Sequence, residues 1–163
     1  MKTDDDADCR EYVSPRLEHL RRVAYLLCGD WHTADDLVST VLLKLFVGWR
    51  RIRKADNLDA YVRGMLTNAW LDERRRPWRR EQFQAEVPDK EVDDPQPADS
   101  HALGELLKSL GPRQRAVVVL RFYCDLSVEQ TAQLLNIAEG TVKSQSARGL
   151  EALRNLTQAN GRQ

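Results

Sequence analysis

Two groups of polar residues stand at spacings and in settings that suit nucleic-acid contacts. Asn68, Asp72, Arg75 and Arg79 follow one another at i, i+4, i+7 and i+11, the repeat of a single helical face. Asp72 lies within a turn of Arg75 and Arg76, so its carboxylate can fix the direction of a guanidinium. Trp49, Trp70 and Trp78 are interleaved with the arginines of the same stretch. Cations among aromatic rings suit nucleic acid, above all unstacked bases that need a π surface; tryptophans at helical spacing also build cores. Further on, Thr141, Lys143, Ser144, Gln145 and Arg148 surround the apolar Val142, Leu150 and Leu153. Hydroxyls, an amide and cations are the groups that read base edges and hold phosphates. Gly140 lets backbone amides at a helix start approach an anion closely.

Other chemistry is not expected. His19, His32 and His101 lack the spacing of a metal site. Asp35-Asp36 and Asp72-Glu73 are adjacent pairs, which point to different sides of a helix and suit caps or salt bridges better than acid–base work. There is no glycine-rich phosphate loop. The expectation is a non-enzyme with no metal and no cofactor.

The elements that position the two polar groups are read from charge and periodicity. The 163 residues hold 25 Lys plus Arg and 25 Asp plus Glu, yet the zero sum hides a strong polarity. Residues 1–18 carry −3, 19–43 carry −1, 44–80 carry +7, 81–99 carry −6 and 100–163 carry +3. Two basic blocks flanking an acidic strip are the footprint of a polyanion partner, since each neutralised phosphate releases counterions. The strip contains Pro88, Pro95 and Pro97 and few apolar residues, so residues 81–100 are expected to be an extended linker. It separates a module over 10–80 from a second over 101–157. Each can bury only a modest core, and outside partners are expected to fix their relative placement.

Both modules read as helical, giving an all-α fold of two small domains. Leu17, Leu20, Ala24, Leu27 and Cys28 recur at 3.6-type spacing before Gly29-Asp30 ends the helix. Thr33 followed by Asp36 suggests the start of a second helix carrying Leu37, Val38, Val41, Leu42 and Leu45. A third begins near Asn57 and carries Tyr61, Val62, Leu66, Ala69 and Trp70 up to Arg74-Arg75-Arg76 before Pro77. In the second module, Leu103, Leu106, Leu107 and Leu110 form a short helix, and Pro112 opens another whose buried side is Val117, Val118, Leu120 and Phe122. Ser127 is the expected cap of a helix containing Ala132, Leu134 and Leu135. After Asn136-Ile137-Ala138 a last polar helix follows, which makes a helix-turn-helix.

Cys9, Cys28 and Cys124 are odd in number and far apart, which argues against a disulfide framework and for a reducing compartment. The acidic start is unlike a secretory signal, and no apolar stretch approaches the roughly 18 residues of a membrane span. A cytoplasmic location without membrane contact is expected.

Three stretches, AYLLCGDWHTADDLVSTVLLKLF (24–46), RRIRKADNLDAYVRGMLTNAWLDERRRPWRRE (50–81) and LGPRQRAVVVLRFYCDLSVEQTAQLLNIAEGTVKSQSARGLEALR (110–154), resemble the extracytoplasmic-function sigma factors, the two-domain bacterial transcription initiation factors, in their short actinobacterial form. The resemblance runs from Tyr12 to Leu156. It implies a region 2 helical bundle and a region 4 helix-turn-helix, with core RNA polymerase (clamp helices of the largest subunit, flap of the second-largest) and promoter DNA as partners. Asp36, Leu37, Ser39, Thr40 and Leu43 match the polymerase-docking surface. Trp49, Arg50, Arg51, Arg53 and Asn57 match the loop that captures a flipped base of the −10 element. Asn68, Asp72, Arg75 and Arg76 match the helix that meets its upstream edge. Glu139, Thr141, Lys143, Ser144, Gln145 and Arg148 match the helix that reads the −35 element. The acidic linker corresponds to the segment threaded through the polymerase channel.

Ser39 and Thr40 replace the Gln and acid common in the family, and Ala138 replaces a capping Ser. Glu139 could cap the helix, accept from a cytosine amine or stand exposed; the sequence leaves these open. The resemblance leaves room for an anti-sigma factor between the modules, although no residue identifies one. The alternative is a stand-alone helix-turn-helix regulator of duplex DNA.

Overall fold

The computed structural model describes residues 2–75 and 98–161. Arg76, Trp78, Arg79 and residues 81–97 of the expected linker lie outside the described residues. Ala98, Asp99 and Ser100, assigned to that linker from composition, instead open a helix.

The N-terminal module is built from α1 (Lys2–Val13), α2 (Leu17–Cys28), α3 (Trp31–Val47), the single turn α4 (Trp49–Ile52) and α5 (Leu58–Arg75). The helix α1 carries no clear apolar stripe and was not expected. It is retained because Cys9 and Val13 are buried against the bundle. Leu20, Val23, Ala24 and Leu27 form the buried stripe of α2, which ends at Gly29 with φ 78°, its amide donating to Tyr25 O. This left-handed closure is the one glycine tolerates best. Asp30 then caps α3, its carboxylate accepting from Thr33 N at 2.9 Å and Thr33 Oγ1 at 2.7 Å. The helix thus starts at Trp31, earlier than Thr33 suggested, because a carboxylate three residues ahead satisfies the first-turn amide.

The C-terminal module comprises α6 (Ala98–Leu107), α7 (Pro112–Val118), a π-helical turn (Val119–Tyr123), α8 (Val128–Leu135) and α9 (Glu139–Gly161). Pro112 stands in the first turn of α7, as expected. Val117, Val118 and Leu120 are buried, but Phe122 is 46% exposed. The wider π turn shifts the helical phase after Val119, and the Arg121 guanidinium stands over the Phe122 ring instead. Ser127 and Gln130 form a reciprocal capping box at α8.

The modules pack directly on each other. One apolar cluster includes Val23, Leu27 and Leu66 of the first module with Leu107, Ala116 and Leu120 of the second. Buried Arg115 reaches across, its Nε donating to Leu26 O at 2.5 Å. The rings of His19 and Tyr123 stack at 5.8 Å. A methyl group on Gly64 would lie 2.5 Å from Leu134 Cδ2, and one on Gly104 would lie 2.8 Å from Tyr25 Cε1. Outside partners are therefore not needed to set the placement seen here.

Candidate nucleic-acid and docking interfaces

The helix-turn-helix is formed by α8 and α9. Asn136 closes α8 in the left-handed region (φ 54°, ψ 50°), and Ile137 and Ala138 complete the turn before Glu139. Ala138 offers no side-chain cap; its carbonyl accepts from Val142 N at 3.1 Å. Val142 is fully buried and anchors the helix, while Leu150 and Leu153 are half-buried. With Val142 fixed inward, Glu139, Lys143, Ser144 and Arg148 are exposed, and Thr141 and Gln145 half-exposed. The Ser144 hydroxyl donates to Thr141 O at 3.0 Å, so its Oγ has lone pairs but not its proton to offer. Six polar groups with donors and acceptors thus stand exposed or half-exposed along one helix, the arrangement that fits a major groove.

On α5, Asn68, Asp72 and Arg75 share one face, as their spacing required. Together with Leu71, Arg113, Leu135 and Asn136 they line a cleft of about 260 Å³. Asp72 pairs with Arg75 at 3.8 Å, and Asn68 Nδ2 donates to Leu134 O at 2.9 Å. Arg113 was not foreseen here, because nothing in the order of residues reports that α7 faces α5.

The stretch from Trp49 to Asn57, expected as a loop, begins with the turn α4. Arg50, Arg51 and Arg53 are exposed, but Trp49 is only 4% exposed. Its indole Nε1 donates to Asp8 at 2.9 Å and its ring lies against Tyr12, so Trp49 is core and not a stacking surface. Trp70 is buried as well. Arg50 pairs with Asp5 and Arg53 with Asp8, and the Arg50 guanidinium holds the Asp5 carboxyl below its usual range. The Asn57 side chain accepts from Ala60 N at 3.0 Å, which makes it the cap of α5. Burial tends to raise the Asp59 carboxyl, but the Tyr12 hydroxyl and Arg16 guanidinium outweigh it and hold it low.

On α3, Leu37 turns inward and is buried, so it positions the helix and does not present itself for docking. Asp36, Ser39, Thr40 and Leu43 face outward. Leu43 is 67% exposed and Val47, one turn on, 84%. Val47 was missed, although its spacing of four from Leu43 continues the same stripe. Leu43 and Val47 together form an exposed apolar stripe on one helical face, which a singly scattered surface residue would not.

Residues 13–80 match the family model described as Sigma-70 region 2, and residues 100–153 match that of Sigma-70, region 4. The RNA polymerase sigma-E factor of Streptomyces avermitilis is 39% identical over 150 residues, covering 88% of this chain and 82% of that one. This chain belongs to the extracytoplasmic-function sigma factors. The sigma-E factor of Streptomyces coelicolor is 37% identical over the same shares of the two chains. Among solved structures, the sigma factor of Bartonella quintana crystallised with the anti-sigma factor NepR superposes with a TM-score of 0.76 at 25% identity. That match covers 93% of this chain and 97% of that one. A sigma factor directs transcription initiation, and the all-α architecture in two regions is that of the family. Among the described residues no helix is long and apolar enough to cross a membrane, and none of their His, Cys, Asp and Glu form a metal-ligating group.

Proposed function

We propose that the chain docks on core RNA polymerase through the outer face of α3, captures the −10 strand with its first module and reads the −35 duplex with its second. Asp36, Ser39, Thr40, Leu43 and Val47 form the docking face. Arg50, Arg51 and Arg53 grip the strand backbone, and Asn68, Asp72, Arg75 and Arg76 meet the upstream edge of the −10 element. Glu139, Thr141, Lys143, Ser144, Gln145 and Arg148 address the −35 major groove. Flipping a base costs a few kcal/mol of unstacking, and preference for the separated strand turns that cost into promoter opening. The observation that carries the reading is the bare Leu43–Val47 stripe on a module separate from the helix-turn-helix. A stand-alone regulator of duplex DNA gives that stripe nothing to bind. The solved relative from Bartonella quintana is bound to an anti-sigma factor, and a partner of that class belongs to the same reading.

Run-off transcription with purified core polymerase on a promoter library tests it. Initiation from a defined subset of promoters is the expected result. Absence of association with core, or of RNA synthesis in its presence, overturns the proposal.

A further inference from the structure

The first helix brings negative charge to the turn that the promoter strand must reach. Arg50 and Arg53 stand three residues apart on one helical turn, and Asp5 and Asp8 stand three apart on α1. Residues at that spacing are neighbours on a helix surface, so each pair makes two rungs of similar separation. The rungs meet in register. Asp5 Oδ2 accepts from Arg50 Nε at 2.5 Å, and Asp8 Oδ2 lies 3.8 Å from Arg53 Nη1. Asp8 Oδ2 also accepts from the Trp49 indole at 2.9 Å, and the next residue, Cys9, is fully buried. The acids are thus aimed by a packed helix and do not hang from a loose segment. The Arg50 and Arg53 side chains remain 64% and 46% exposed, so a phosphate can reach them from outside.

A carboxylate offers a guanidinium what a phosphate oxygen offers it, a charge-assisted acceptor. Ion pairs this exposed contribute little to stability, and α1 is already held by Cys9, Val13 and the Trp49 bond. Their main effect falls on what else can use the arginines. Residues 1–18 carry −3, a charge that opposes any polyanion. Arg51, between the paired arginines, is exposed with no carboxylate on it among the described residues.

We propose that α1 is a built-in competitor for the capture turn: Asp5 and Asp8 occupy Arg50 and Arg53 in the free chain as surrogate phosphates, and the −10 strand must displace them. This rests on the strand-capture reading above. Capture is then an exchange of one anion for another at Arg50 and Arg53, and a plain addition at Arg51. The apparent strand affinity is the intrinsic affinity reduced by the fraction of chains whose two guanidinia are unpaired. The same competition keeps the turn from being taken by any phosphate chain it meets, until base contacts add to the strand's side.

The test uses the full chain and a fluorescein-labelled oligonucleotide, with binding read by anisotropy at moderate salt. The probe is the non-template −10 strand of a promoter on which the wild-type holoenzyme gives run-off product. Asp5→Asn with Asp8→Asn removes both charges and leaves an acceptor for the Trp49 indole. Asp4 and Asp6 are exposed on the same helix with no cation paired to them among the described residues. Asp4→Asn with Asp6→Asn changes the net charge equally and is the control. The first variant is expected to bind on the order of three- to tenfold more tightly than wild type, the worth of two exposed ion pairs. The control should gain at most about twofold. In an Arg50→Ala, Arg53→Ala background the gain should vanish, because the acids then have no guanidinium to withhold. Asp5→Asn alone leaves Asp8 and its indole bond untouched and should show part of the gain, which keeps the question answerable if the double variant loses its helical circular dichroism. An equal gain in variant and control, or a gain that survives the loss of both arginines, reduces α1 to a diffuse charge and overturns the proposal. Weaker binding by the Asn variants at unchanged circular dichroism makes the acids positioning groups and overturns it too. If run-off transcription persists but the Asn variants bind as wild type does, this inference alone fails. If Arg50→Ala with Arg53→Ala binds the strand as wild type does, the assignment of the turn to the strand fails instead.

Discussion

Arg115 is buried to 6% exposure with its Nε on Leu26 O, and burial lowers its pKa to about 10. Arg115→Ala would leave that carbonyl without its donor and open a cavity, a loss of about 2–4 kcal/mol. Arg115→Met fills the volume without a desolvated charge, and should cost less than half as much. Urea denaturation of the two variants measures the difference. On α9, Lys143→Ala and Arg148→Ala should weaken promoter-specific initiation while leaving core binding intact. Each phosphate contact removed should reduce the salt slope of DNA binding by about 1. Equal initiation by both variants at moderate salt would remove the −35 role from this helix. These polar positions were legible because a helix with Val142 inward leaves few orientations for its neighbours. Trp49 was not, since a tryptophan among arginines reads alike as a stacking platform and as core. The 4% exposure of Trp49 and its indole hydrogen bond to Asp8, 41 residues away, decided it.

Elements were read best where a cap or breaker fixes the backbone. Gly29, Pro112 and the Ser127 cap each stand where the sequence put them. Ser127→Ala should cost about 1 kcal/mol and lower the thermal midpoint accordingly. The misses have equally local causes. Asp30 outcompetes Thr33 as the cap of α3, and the π turn throws Phe122 outward, a change of helical phase invisible to a 3.6-residue count. The helix α1 escaped notice because Cys9 and Val13 are its main buried apolar residues, too few to make a stripe. On α3, Leu43→Asp with Val47→Asp should weaken core polymerase binding tenfold or more. The melting temperature should stay within a few degrees, since neither side chain packs in the core. Unchanged affinity in a co-sedimentation assay would strip that face of its docking role.

For the molecule as a whole, two modules and an all-α fold could be read from charge blocks and periodicity, but their mutual packing could not. Periodicity reports that Leu27 or Leu120 is buried without saying against what. His19 lies on the seam, where burial first and the Arg63 charge second lower its pKa, with Arg22 adding to and Asp59 opposing that shift. An unfolded chain takes up a proton near its ordinary value of 6.5, while the folded one resists. Stability from His19 is therefore present above about pH 6.5 and is lost as pH falls toward its lower folded value. His19→Phe should keep the stack and flatten that part of the profile in denaturation midpoints taken from pH 7.5 to 5. The free thiols of this chain carry a last consequence. Cys9 and Cys124 are buried, and burial raises the pKa of Cys28 to about 12 and that of Cys124 to about 11. Thiolate, the form that alkylates, is scarce at neutral pH while those sites stay shut. Iodoacetamide uptake, counted by mass spectrometry, thus becomes a clock for transient unfolding that needs no engineered label.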